Sequence, residues 1–182
     1  VNILSLQDYL KGVVPSEVYP GWPMETLKTQ AVAARSYAVF HLKFSRRFMD
    51  KVRTWDVDDT IAYQAYTGID LGSSRTDVAV METEGQILTH QGAVIQAYYH
   101  ADSGGQTEDA VNVWGLDIPY VQGRKESFDF KVSSSTWRLT LNLNRVQKKL
   151  RRLGILRRSD RLKSLAVPFT GRSDSGRVRA VM

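Results

Sequence analysis

Glu17 is a lone carboxylate in a proline-studded stretch, Pro15 to Pro23, just ahead of a nearly all-apolar helical segment. A carboxylic acid held beside low-dielectric structure keeps its proton closer to neutral pH, the property a general acid needs. Lys28 and Arg35 stand seven residues apart and so fall on one face of that helix, two turns from each other. Cations on a buried helix must be paired or must line a cleft. A structural salt bridge satisfies them, and so does a position beside Glu17 where they orient it or hold a substrate. Further along, the loop Asp102-Ser103-Gly104-Gly105-Gln106-Thr107 follows His100. Gly104 and Gly105 let backbone amides approach a ligand, while His100, Ser103 and Thr107 offer hydrogen bonds. The same residues equally make a plain turn.

Other chemistries find little support. Ser103 and His100 lie in no G-x-S-x-G nucleophile elbow, and the chain has only three histidines from which to draw a base. His41, His90 and His100 show no H-x-x-x-H or H-E-x-x-H spacing, and the absence of cysteine removes thiolate ligands and disulfides together. Phosphate-loop and dinucleotide fingerprints are missing. The acids of Trp55-Asp56-Val57-Asp58-Asp59-Thr60 lack the glycine and distal glutamate of a calcium loop and read as a capped turn. No metal and no cofactor is expected.

The elements that must position these groups follow from local pattern. Ser5 with Asp8 resembles a capping box, and Leu6, Leu10 and Val13 continue at helical spacing until Pro15, which is expected to end the helix and deliver Ser16 and Glu17 into a turn. Two prolines and Gly21 stiffen Tyr19-Pro20-Gly21-Trp22-Pro23, and Pro23 suits a first helical position. From Met24 to about Lys43, Leu27, Ala31, Ala34, Ala38 and Leu42 form one stripe that Val32 and Val39 widen. Lys43 to Arg53 reads as a basic surface turn or helix end. Ser73 or Ser74 caps a short helix through Met81, and Ile87 to Thr89 with Val94 to His100 read as hairpin strands around Gln91-Gly92. The expected architecture is mixed α+β: one main domain over 1–130 with a central buried helix and antiparallel hairpin strands, and a smaller basic helical and β segment over 131–182 packed on it.

At 182 residues with 42% hydrophobic and 24% charged content the chain buries a substantial core. No run approaches the roughly 18 apolar residues of a membrane span, and no secretory leader is visible. The chain starts at Val1 and reads as a fragment, so the missing leader says little. The net charge of +6 is concentrated: Arg145 to Lys163 holds nine basic residues and one acid, Asp160, so this segment carries +8 and the remainder −2. Val146, Leu150 and Leu153 give it helical spacing, with Asn144 as N-cap and Gly154 as stop. It is either a helix with a basic outer face or a patch for an anionic wall polymer, lipid headgroups or a partner. No helix-turn-helix, aromatic RNA-binding motif or zinc finger accompanies the charge, which argues against nucleic acid.

Leu6-Gln7-Asp8-Tyr9-Leu10-Lys11-Gly12-Val13-Val14-Pro15-Ser16-Glu17 and Trp22 to Ala38 resemble the SpoIID/LytB family of sporulation cell-wall lytic transglycosylases and amidase enhancers. Gln64-Ala65-Tyr66-Thr67-Gly68 resembles its Q-x-Y-x-G, and Tyr99 to Glu108 contains its S-G-G-x-T-E block. Trp114-Gly115 and Pro119-Tyr120 follow, and the likeness returns at Ser175-Gly176-Arg177-Val178.

The resemblance implies an extracytoplasmic protein of the bacterial cell envelope, with Glu17 as acid/base on peptidoglycan glycan strands. It implies substrate contacts from Lys28, Arg35, Gln64, Tyr66, His100, Ser103, Gly104, Gly105 and Thr107. One carboxylate suffices if the C6 hydroxyl of N-acetylmuramic acid replaces water, giving a 1,6-anhydro end, whereas a hydrolytic glycosidase ordinarily needs two. The family equally implies a non-catalytic wall-binding module that enhances a partner amidase. Some members hold zinc through a Cys/His cluster before Q-x-Y-x-G; here that stretch is Asp58-Asp59-Thr60-Ile61-Ala62-Tyr63, so the ligands are absent.

Overall fold

Ser5 opens the first helix because its hydroxyl accepts the Asp8 N–H at 3.1 Å and donates to Asp8 Oδ2 at 2.8 Å, satisfying an amide that the first turn leaves free. The computed structural model describes residues 2–48, 55–60, 62–68, 74–127 and 138–182. Among these, contacts divide the chain into two compact units, Val1–Tyr99 and His100–Met182. The expected boundary near residue 130 falls outside the described residues, as do Ser73 and the end of the basic stretch before Arg53.

The first unit is built on three helices, α1 (Leu6–Glu17), α2 (Met24–Phe48) and α3 (Ser74–Glu82), which all pack on one another. Leu10, Val13 and Val14 of α1, Ala31 and Ala34 of α2 and Val80 of α3 form its core, each fully buried. Each buried leucine or valine among them contributes about 1.5–3 kcal/mol of transfer free energy, and the alanines let the helices come close. Leu27 and Ala38 of the expected stripe are buried as well, while Val32, Val39 and Leu42 are half-buried. The helix runs on to Phe48, five residues past the expected end.

Pro15 does not end α1. The proline removes one donor, but the helix continues to Glu17 because Val18 N–H reaches Val14 O at 3.1 Å and the Ser16 hydroxyl donates to Gly12 O at 2.7 Å. Glu17 therefore sits on the last turn of a helix rather than in a free turn.

Gln91 and Gly92 take φ of 50° and 78°, the left-handed pair of a tight hairpin turn, between β1 (Thr89–His90) and β2 (Ala93–Val94). The strands pair antiparallel with Thr89 opposite Val94 and His90 opposite Ala93. They are shorter than the sequence pattern suggested, since 95–100 is not strand. Leu88 N–H donates to Ser36 Oγ at 2.8 Å, tying the hairpin to α2. Asp58 Oδ1 accepts Thr60 N–H at 2.9 Å, the capped turn expected there.

The second unit contains α4 (Ala110–Trp114), closed by Gly115 at φ 71°, and α5 (Leu143–Arg152). Asn142 caps α5, its side chain accepting Asn144 N–H at 3.0 Å and Arg145 N–H at 3.2 Å. The cap is thus Asn142 rather than Asn144, because starting two residues earlier brings Leu143 into the helix. The final segment pairs back on the chain: Ala166 and Met182 exchange both backbone bonds at 2.8 Å, and Ser173 N–H meets Arg177 O at 2.9 Å.

Candidate active site

Segment 62–68 lies along the C-terminal half of α1 because glycine leaves room for it. A Cβ on Gly12 would stand 2.4 Å from Tyr66 Cε2, closer than a side chain sustains, and a tight 3.0 Å from Gly68 O. The Tyr66 ring stacks on Tyr9 with centroids 5.6 Å apart. The Ser16 hydroxyl has given its only proton to Gly12 O, so the 2.7 Å contact with Thr67 Oγ1 is donated by the threonine. Docked in this way, the segment aims Ala65 N–H at Glu17 Oε1, 2.8 Å away. Glu17 is half-buried.

Gln64 is fully buried, and its hydrogen bonds fix which way its amide points. Its Nε2 donates to Ala34 O at 3.4 Å and to Tyr99 Oη at 3.1 Å, while its Oε1 accepts the Tyr9 hydroxyl at 3.2 Å. A carbonyl only accepts, so the amide nitrogen must face Ala34. Tyr99 Oη accepts the Gln64 N–H and keeps its own proton to offer. Burial pushes the Tyr99 phenol above its ordinary range; the Gln64 bond opposes this, and the Glu17 carboxylate reinforces it by its charge and by hydrogen bonding. Burial also raises the Tyr9 phenol, with neighbouring Tyr37 and then the Glu17 charge adding to it. Both phenols stay protonated, so Tyr9–Gln64–Tyr99 is a neutral, directed chain whose last phenol senses the Glu17 charge.

Glu17, Gln64 and Tyr66 are therefore brought together, and Tyr9, Gly12 and Tyr99 join them. These last three carried no assignment from sequence, although all fall within the motif stretches. Gly12 had a readable signal, a glycine inside a helical pattern.

Lys28 and Arg35 are otherwise engaged. Lys28 Nζ pairs with Glu25 at 3.0 Å and with Glu82 of α3 at 2.7 Å, joining α2 to α3 at the surface. Arg35 is 1% exposed and donates to Val80 O at 2.9 Å, Gln86 O at 3.2 Å, Thr83 Oγ1 at 3.3 Å and Gln7 Oε1 at 3.3 Å. With both terminal nitrogens engaged by the chain itself and only Nε left buried without a partner, the guanidinium is a clamp on the three helices, not a group lining a groove. It meets neutral acceptors rather than the salt bridge that was the other expectation.

In the second unit, Ser103 and Thr107 hold their loop. Ser103 Oγ donates to Glu126 and accepts Gly105 N–H at 3.1 Å, and Thr107 Oγ1 accepts Arg124 N–H at 2.8 Å. Gly104 is exposed at φ 67° and Gly105 takes φ 92°, conformations that favour glycine. His100 is exposed. The returning motif binds this loop: Arg177 donates to Ser103 O at 2.7 Å and Gln106 O at 2.9 Å, and Ser175 donates to Glu108 Oε2 at 2.5 Å. Among the described residues no group of three His, Asp or Glu side chains could hold a metal ion, and no helix is long and apolar enough to cross a membrane.

An α+β chain with one carboxylate set at a helix end by a Q-x-Y-x-G segment is matched by known proteins. Residues 1–90 fit the family model SpoIID, described as Stage II sporulation protein. An amidase enhancer of Bacillus subtilis is 36% identical over 140 residues, 77% of this chain and 18% of its own length. Stage II sporulation protein D of the same organism is 33% identical over 142 residues, 72% of this chain and 41% of its own. A protein of Brachyspira hyodysenteriae described as uncharacterized is 43% identical over 123 residues, covering 68% of this chain and 32% of its own. The chain thus spans less than half the length of these curated relatives. It belongs to the SpoIID/LytB family.

Proposed function

We propose that the chain is a peptidoglycan lytic transglycosylase of the bacterial cell envelope, working outside the cytoplasm and using Glu17 as its single acid/base. Glu17 in its acid form protonates the oxygen linking N-acetylmuramic acid to N-acetylglucosamine as the C1–O bond breaks. The C6 hydroxyl of the muramic acid then closes on C1 and returns its proton to the carboxylate, leaving a 1,6-anhydro end and regenerated enzyme. Both reacting groups belong to one sugar, so the ring closure has a high effective molarity and needs no activated water.

The observation that carries this reading is the fixed Glu17: Ala65 N–H holds one oxygen at 2.8 Å and the Gln64-oriented Tyr99 lies beside the same carboxylate. A group that gives and takes one proton must stay in register between the two steps, and the Ala65 amide supplies that anchor. In this scheme Tyr66 and Gln64 position the acid. Exposed His100 and Gly104, with Gly105, remain candidate glycan contacts, while Ser103 and Thr107 shape their loop. Lys28 and Arg35 support the helices.

The second reading, a wall-binding enhancer of a partner amidase, is favoured by the similarity to a protein named an amidase enhancer. Incubation of the full chain with purified glycan strands, alone and beside a cell-wall amidase, separates the two. Anhydro-sugar ends without amidase support the enzyme. Faster amidase digestion with no anhydro ends supports the enhancer.

A further inference from the structure

The basic stretch is not a lone helix. α5 ends in a Schellman motif, with Gly154 N–H on Arg151 O at 3.1 Å and Ile155 N–H on Leu150 O at 3.0 Å, and the chain reverses there. The returning segment is sewn back onto the helix: Arg151 donates to Asp160 O at 2.5 Å and to Arg157 O at 3.3 Å, and Gln147 Oε1 accepts Leu162 N–H at 2.6 Å. Asp160, the only acid from Arg145 to Lys163, is occupied by Arg157 N–H at 2.7 Å. Two basic runs separated in sequence are thereby gathered on one folded-back unit, where eight of the nine cations are exposed. Among the described residues none of them makes an ion pair with a carboxylate.

At the reversal, between the two basic arms, Leu153 is 58% and Ile155 66% exposed. The residue in the position of Ile155 ordinarily folds onto the helix side chain at the position of Leu150; here most of its surface faces solvent. Cations alone would serve any polyanion. Aliphatic side chains projecting between cations match a bilayer surface, where anionic headgroups meet the arms and the acyl boundary takes the tip.

We propose that the unit from Leu143 to Lys163 docks on an anionic membrane surface, with Leu153 and Ile155 entering the headgroup boundary. This is independent of the role given to Glu17. The test is sedimentation of the full chain with phosphatidylglycerol-containing vesicles, with phosphatidylcholine vesicles, and with inorganic polyphosphate in solution. Binding to the anionic vesicles but not to the neutral ones is expected. Replacing Lys148, Lys149, Arg152 and Arg158 by glutamine, with helicity checked by circular dichroism, should lower vesicle partition by roughly a thousandfold. Leu153→Ser with Ile155→Ser should lower it about tenfold at unchanged charge. Absence of binding to anionic vesicles overturns the proposal, as does equal binding to neutral ones. Polyphosphate binding together with wild-type vesicle binding by the Leu153/Ile155 variant also overturns it, and marks a soluble polyanion site instead.

Discussion

Ala65 N–H and Glu17 Oε1 stand 2.8 Å apart although 48 residues separate them in the chain. A backbone donor cannot be removed by changing its own side chain, so the register of the whole 64–68 segment on α1 decides where the carboxylate points. The consequences fall on residues that never touch a substrate.

Gly12→Ala tests that register. The added methyl meets Tyr66 at 2.4 Å and Gly68 O at 3.0 Å, so the stacked ring and the segment must move. A loss of about 1–3 kcal/mol in urea unfolding is expected from overpacking of this kind, with a fall in glycan cleavage beyond the folded fraction lost.

Tyr99→Phe keeps the ring and removes the hydroxyl that receives Gln64 at 3.1 Å and faces Glu17. A neutral hydrogen bond contributes about 0.5–1.5 kcal/mol, so initial cleavage rates should drop roughly two- to tenfold in a protein that still folds. An unchanged rate would remove Tyr99 from the account.

Arg35→Leu separates structure from binding. The buried guanidinium joins Gln7 of α1 to Val80 of α3 and to Thr83 just past its end, and its loss strands buried acceptors. Stability should fall by about 3 kcal/mol while activity per folded molecule and substrate affinity stay near wild type. Lost affinity at full stability would restore the groove-lining role.

Glu108 gives a pH test in the second unit. Burial alone would raise its pKa, but hydrogen bonds from Ser173, Ser175, Asn112 and the Asp109 N–H outweigh it and bring the carboxyl from 4.5 down to about 2. A lowered native pKa adds stability that is present above 4.5 and lost as pH falls through about 2. Glu108→Gln should therefore unfold more easily than wild type at pH 7, and the gap measured by denaturant titration should narrow on acidification across that window.

What could be read from the chain was local. The Ser5 cap, the Leu27-Ala31-Ala34-Ala38 stripe, the Gln91-Gly92 turn and the Gly154 stop each depend on residues within a turn of one another. Pro15 misled because a proline near a helix end removes only one bond, and Ser16 and Val18 supply others. Arg35 was ambiguous because its partners Val80 and Thr83 lie 45 and 48 residues away. The Glu17 site was half legible: the acid stood out by its setting, and Gln64 and Tyr66 by family likeness. The amide of Ala65 left no trace, since a backbone donor has no side-chain signature. Tyr9 and Tyr99 carried no assignment, because the direction of the Gln64 amide between them is set only by the fold.

The most direct measurement is mass spectrometry of purified glycan strands after incubation with wild-type protein and with Glu17→Gln. The substitution preserves shape and removes the proton that is transferred. 1,6-Anhydro-muramic ends are expected with wild type and none above background with the variant. Equal product from both proteins would contradict it.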